Sequence, residues 1–136
     1  GIAMDTPRGL VVPPLKGAAT MSIMEISAEL GQLAEKARNA KLTLDELQGG
    51  TFTISNLGGL GVSQFSPVIN VPEVAILGVS RARIEPVFQN GQCVPRTMLP
   101  LSISYDHRVI DGADAARFMT WFVDTLENPW TLFIEE

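Results

Sequence analysis

The chain has 136 residues, 46% hydrophobic and 18% charged, the composition of a single folded domain with its own core. A formal net charge of -5, with only 10 Lys and Arg scattered along the chain, excludes a nucleic-acid surface, because no basic cluster could displace counterions from a phosphate backbone. No apolar run approaches the roughly 18 residues of a membrane span, and "GIAMDTPRGL" lacks the basic start and apolar stretch of a signal peptide, so the cytoplasm is the expected location.

"GIAMDTPRGLVVPPLK" predicts a hairpin of two short strands, Ile2 to Met4 and Leu10 to Val12, about a turn at Asp5, Pro7 and Gly9, because proline presets the turn dihedral and glycine tolerates positive φ. Ser22 and Glu25 have the spacing of a capping box, and Ile23, Ile26, Leu30, Leu33 and Ala37 recur at helical spacing, so an amphipathic helix is expected to about Ala40. Thr43 and Glu46 repeat the capping pattern before a short helical turn over Leu44 to Gln48, ended by Gly49 and Gly50. "TFTISN" returns to β structure, with Thr51, Thr53 and Ser55 on one face and Phe52 and Ile54 on the other.

Residues 57 to 73, "LGGLGVSQFSPVINVPE", form a Gly- and Pro-rich loop of a length that compact domains keep for function. Val74 to Ser80 is the continuous apolar run of a strand buried on both faces. "ARIEPVFQNGQCVPRTMLPLSISYD" then predicts two strands joined at Asn90-Gly91. Asp111 is placed to cap a last helix with Asp114 in its first turn; Ala115, Phe118, Phe122 and Leu126 lie on its apolar face, and Pro129 stops it. No repeat or linker divides the chain, so one α+β domain is expected.

The chain has one histidine, His107, in "SISYDHRVIDGADAARF", where a strand pattern gives way to a helix. Its plainest reading is a satisfied structural residue; a loop position between two elements also suits a functional one. A metal site of His107 with Asp106 and Asp111 has too few good ligands, since there is no second His or Cys, and no metal is expected. Ser55 does not sit on a G-x-S-x-G elbow, and "NLGGLG" misses the spacing of a dinucleotide loop. Cys93 has no neighbouring base and reads as structural; a lone cysteine forms no disulfide within the chain.

"DHRVIDGADAARF" resembles the D-H-R-x-x-D-G signature of the dihydrolipoyl acyltransferases of 2-oxo acid dehydrogenase complexes. "DTPRGLVVPPLK", "LAEKARNAKLTLDELQGGTFTISNLGGLG" and "PVINVPEVAILGVSRARIEPVF" resemble the same family in order and spacing, so the likeness covers essentially the whole chain. It implies a chloramphenicol-acetyltransferase-like mixed sheet with flanking helices, residues 1-136 being the C-terminal portion of a catalytic domain that is incomplete at the N-terminus. Strands missing from such a sheet would leave an open edge and uncovered apolar surface, so association is expected. Ala115 stands where many members have Gly, which a helix tolerates.

The implied chemistry is acyl transfer between a dihydrolipoyl arm and coenzyme A, without a metal or an acyl-enzyme. A thiol has a pKa of about 8.5 and an imidazole about 6.5, so His107 would act as the general base, an effect of about 10² to 10⁴ in rate. Ser55 would donate to the developing oxyanion. Asp111 would hold the histidine loop and helix start, or serve only as an N-cap. Ser55, Asn56, Ser80 and Ala82 match positions at which the family contacts coenzyme A.

The resemblance further implies a homotrimer or larger core with His and Ser supplied by adjacent subunits, and a lipoyl group carried on a separate domain not present in this chain. The implied partners are that lipoyl domain and the decarboxylase and dihydrolipoyl dehydrogenase of the complex, in the bacterial cytoplasm or a mitochondrial matrix. "HRVIDGADAARF" and "VPRTMLPLSIS" are more similar to acetyl-transferring, pyruvate-type members, with branched-chain members also open. Two other readings stand beside the enzyme: a non-catalytic fragment of the oligomeric core, and a free-standing acetyltransferase of the chloramphenicol type.

Overall fold

The computed structural model describes residues 1–133, the side chains of Thr131 and Phe133 excepted. Its first hairpin is tighter than expected. Strand β1 (Met4–Thr6) pairs antiparallel with β2 (Gly9–Val11) across Pro7 and Arg8. The Thr6 hydroxyl closes this turn by donating to the Gly9 carbonyl at 2.7 Å and accepting from the Arg8 amide at 3.2 Å. Asp5, Thr6 and Gly9 are thereby drawn into the strands, Gly9 with a φ of 109° that a side chain would resist, while Ile2 bridges to Ile54 instead.

Helix α1 (Ile23–Arg38) opens on the expected capping box: the Ser22 amide donates to Glu25 Oε2 at 2.8 Å, and Ser22 Oγ accepts from the Glu25 amide at 3.3 Å. Leu33 and Ala37 are its buried residues. The helix stops short of Ala40 because the chain turns left-handed there, at φ 53°. Lys41 N–H then reaches the Lys36 carbonyl at 2.8 Å and Ala40 N–H the Ala37 carbonyl at 3.0 Å, the bond pair of a Schellman ending. A Cβ makes this conformation cost about 1–2 kcal/mol, so Ala40→Gly is expected to raise the unfolding free energy by about 1 kcal/mol in a urea titration. The Thr43 and Glu46 pattern does cap a short 3₁₀ turn, Asp45–Leu47. Lys36 anchors this turn to α1 through Glu46 at 2.6 Å, and its hydrogen bond holds the Glu46 carboxyl down at about 2.

Five strands follow: β3 (Thr53–Asn56), β4 (Ala75–Val79), β5 (Arg83–Gln89), β6 (Gln92–Met98) and β7 (Leu101–Tyr105). β4 is the centre of a three-stranded sheet, parallel to β3 and antiparallel to β7, and Ala75, Ile76 and Leu77 are core residues, as the apolar run predicts. The sequence Gln92 to Tyr105, expected as one strand, is two. Pro100 has no N–H to give a ladder, so the chain breaks there and β7 joins β4 while β6 stays with β5. Asn90 and Gly91, at φ 52° and 77°, make the expected tight turn between β5 and β6.

The β5–β6 ribbon pairs only with itself among the described strands, and its end at Thr97 and Met98 borders a groove shared with Met119, Val123 and Leu126 of the last helix. Ile84 and Phe88 are 74% and 78% exposed on this ribbon. Cys93, opposite Phe88, is an exposed residue of the ribbon and not part of the core. Helix α2 (Gly112–Glu127) lies against β7, with Ala115 buried and Phe118 edge-on to Phe52 at 6.1 Å. A mixed sheet with two flanking helices is the α+β architecture the sequence implies.

Candidate active site

Alternation along β3 decides which way Ser55 faces. Ser55, Gly78 and Ser102 are directly opposite one another across the three strands and so share one face. The long loop lies over that face: a Cβ on Gly78 would collide with Ser102 Oγ and stand 3.1 Å from both Phe65 and Pro67, and Ser102 donates to the Phe65 carbonyl at 2.8 Å. Gly78 is therefore needed for the loop to approach. The Ser55 hydroxyl is half-buried and engaged by no described residue.

The chain leaving β3 folds back on the end of β4. Leu57 N–H donates to the Val79 carbonyl at 3.0 Å, and Asn56 Oδ1 accepts from the Gly58 amide at 2.9 Å. Gly58 presses on Ser80 so closely that a Cβ would lie 2.9 Å from the Ser80 carbonyl oxygen. Ser55, Asn56 and Ser80 are thus brought into one corner, with Ser80 buried and Ala82 exposed just beyond it.

His107 sits at the other end of the sheet. Asp106 N–H donates to the Val74 carbonyl at 2.8 Å, carrying the β4–β7 ladder one residue further, and the Asp106 carbonyl accepts from Val109 and Ile110, each at 3.0 Å. Its carboxylate accepts from the Arg108 amide at 3.0 Å and from the Arg108 guanidinium at 2.6 Å. The bonds from Arg108 hold the Asp106 carboxyl down at about 2, so this clamp stays charged at any working pH. His107 is exposed at the apex of the turn so fixed, its ring 5.8 Å from that of Tyr105. It borders a groove of about 680 Å³ whose opposite wall is Ile69, Val71 and Pro72 of the long loop. The Asp106–Arg108 clamp and this apolar wall were not singled out in the sequence; an acid two residues before a base was the only signal for the first.

Asp111 is the N-cap residue of α2 by position, with extended backbone, and Ala115 N–H donates to its carbonyl at 3.0 Å. Its side chain makes no cap hydrogen bond, contrary to the expected cap. Residues 111 to 114 are all exposed, so water can satisfy both the carboxylate and the first-turn amides. Among the described residues no group of three or more His, Cys, Asp or Glu is arranged to hold a metal.

Ser55 and His107 do not meet within one chain. Ser55 is level with Ser102 at the start of β7, whereas His107 lies beyond the end of that strand. At about 3.3 Å per residue the two are displaced by roughly 15 Å along the sheet, too far for both side chains to reach one reacting atom.

Comparison with known proteins agrees with this architecture. The family model "2-oxoacid dehydrogenases acyltransferase (catalytic domain)" matches residues 1–134. The dihydrolipoyllysine-residue acetyltransferase component of the pyruvate dehydrogenase complex of Cupriavidus necator is 57% identical over 128 residues, which is 94% of this chain and 23% of that protein. The chain spans between 20% and 32% of the length of the curated relatives compared. The structure of Azotobacter vinelandii dihydrolipoamide acetyltransferase, studied for the roles of a serine, a histidine and an asparagine in its catalytic mechanism, aligns with a TM-score of 0.95 at 49% identity over 98% of this chain and 55% of that one. The cubic core of the pyruvate dehydrogenase multienzyme complex aligns with a TM-score of 0.95 at 50% identity, with the same coverage. On sequence and on fold alike, the chain belongs to the acyltransferase catalytic-domain family of the 2-oxoacid dehydrogenases.

Proposed function

We propose that the chain transfers an acetyl group between a dihydrolipoyl arm and coenzyme A, at a site where His107 of one copy and Ser55 of a neighbouring copy act on the same carbonyl. The observation that carries this reading is the separation of Ser55 and His107 along a rigid sheet: both chemistries are present, and only a second chain can bring them together. The serine, histidine and asparagine studied in the Azotobacter enzyme have the same separations in sequence as Ser55, His107 and Asp111 here, with an acid in the asparagine's place.

In the forward direction His107 takes the proton of the coenzyme A thiol as its sulfur bonds to the thioester carbon. Ser55 donates to the oxyanion, the lipoyl sulfur leaves, and the imidazolium returns the proton to it. No covalent enzyme intermediate is needed. Asp106 and Arg108 hold the turn that carries the imidazole, and Ile69, Val71 and Pro72 line the groove beside it. Asp111, at the start of α2 four residues after His107, makes no side-chain hydrogen bond to the His107 turn among the described residues, and its carboxylate is exposed.

Assembly follows from the same surfaces. A two-stranded ribbon is marginal by itself, and β5–β6 exposes Ile84 and Phe88, so a neighbouring copy covers it in a homotrimer or larger core. Such a core works beside a lipoyl domain, a decarboxylase that loads it and a dihydrolipoyl dehydrogenase that reoxidises it, in the bacterial cytoplasm. The test is acetyl transfer from acetyl-CoA to dihydrolipoamide by the natural full-length protein. Turnover is expected, and Ser55→Ala should lower kcat by about 10² to 10³. A folded, assembled protein with no turnover would move the chain to a scaffold of the core.

A further inference from the structure

The Ser55 end of the sheet holds one cation that no mechanism above uses. Of the Lys and Arg side chains, Lys36, Arg83, Arg108 and Arg117 are committed to ion pairs. Arg81 is exposed and pairs with no carboxylate among the described residues, while its backbone is fixed. Its amide donates to the Val62 carbonyl at 2.8 Å, so its backbone is stitched to the Gly-rich turn. Its guanidinium lies over the same turn: a Cβ on Gly61 would stand 3.6 Å from Arg81 Nη1, and Gly61 itself has a φ of 85°. Arg81 immediately follows Ser80, the buried residue against which Gly58 and, through it, Asn56 are packed.

We propose that the Arg81 guanidinium, lying over the Gly58–Gly61 turn, binds a phosphate group of coenzyme A. The assignment rests on the acetyltransferase reading above and adds a residue to it. A planar guanidinium grips phosphate oxygens with two parallel donors, a geometry that a point-charge ammonium lacks. The direction also fits. Arg81 lies about 10 Å past the level of Ser55 along β4, on the side away from His107. A thiol reacting beside Ser55 therefore leaves its phosphates, which sit at the far end of a flexible pantetheine arm, free to run toward this rim. The chain is acidic, with a net charge of -5, so a tetra-anionic carrier needs a local cation to settle against it. The neighbouring Glu85 is held by Arg83 and does not compete for Arg81.

The test compares coenzyme A, 3′-dephospho-coenzyme A and pantetheine as acetyl acceptors for the wild-type full-length protein and for Arg81→Gln. The preference in kcat/KM for coenzyme A over pantetheine should fall about tenfold in the variant, carried by KM, and Arg81→Lys should restore part of it. If the preference over dephospho-coenzyme A falls equally, Arg81 holds the 3′-phosphate; if it does not, Arg81 holds the pyrophosphate. A wild type active with all three whose preferences survive Arg81→Gln overturns the assignment alone. A wild type that acetylates none of them overturns the acetyltransferase reading and this assignment with it.

Discussion

His107→Ala is expected to lower kcat for acetyl transfer by about 10² to 10⁴ while leaving KM for both thiols nearly unchanged. The size of the fall follows from what the imidazole does in the proposed mechanism. Without it, the attacking thiol must lose its proton to water at a pH where a thiol of pKa about 8.5 is mostly protonated. The fall would be catalytic and not a consequence of misfolding, because His107 has little stake in the fold: it is exposed, its ring contact is with Tyr105, no described side chain hydrogen-bonds it, and the turn that carries it is fixed by the residues on either side. A surface substitution of this kind changes stability by about 0.5 kcal/mol or less. Thermal unfolding should therefore be superimposable on wild type while turnover is lost. A tenfold effect or smaller would remove His107 from the role of base.

The parts of the site that the sequence made legible are those written in local patterns. Capping boxes at Ser22 and Thr43, the buried run of β4 and the Asn90-Gly91 turn involve residues within a few positions of one another, where spacing and side-chain chemistry decide the outcome. What was misread depended on tertiary competition. Pro100 alone does not say that the strand on its far side will leave the hairpin for β4; that required an open edge on a buried strand elsewhere in the chain. Asp111 has the residue type and spacing of a cap, yet an exposed helix start lets water do that work. The long loop could be recognised as functional from its glycines and prolines. Its two ends lie at opposite ends of the sheet: Gly58 packs at Ser80, and Ile69, Val71 and Pro72 border the groove at His107. Only the parallel pairing of β3 with β4 reveals this, because a parallel connection must return the chain to the opposite end of the sheet.

That same topology makes a mixing experiment decisive about where the site is. Ser55→Ala and His107→Ala chains, each nearly inactive when pure, are expected to recover about a quarter of the wild-type rate when co-expressed in equal amounts. In a closed ring the contact between neighbours is heterologous, so each site would take His107 from one chain and Ser55 from the next, and random assortment would leave about one site in four with both groups intact. The recovered rate would exceed either parent by one to two orders of magnitude or more, given the losses of about 10² to 10³ and 10² to 10⁴ expected for the single substitutions. If the two residues served one site within a single chain, every site would lack one of them and mixing would restore nothing. A chain carrying both substitutions gives the complementary reading when mixed with wild type in equal amounts. Sites within chains would leave about half the activity, whereas sites between chains would leave about a quarter, since both neighbours must then be wild type. The physical basis of the expected recovery is the roughly 15 Å between Ser55 and His107 along paired strands, a distance that side-chain rotation cannot close and that a neighbouring copy would bridge.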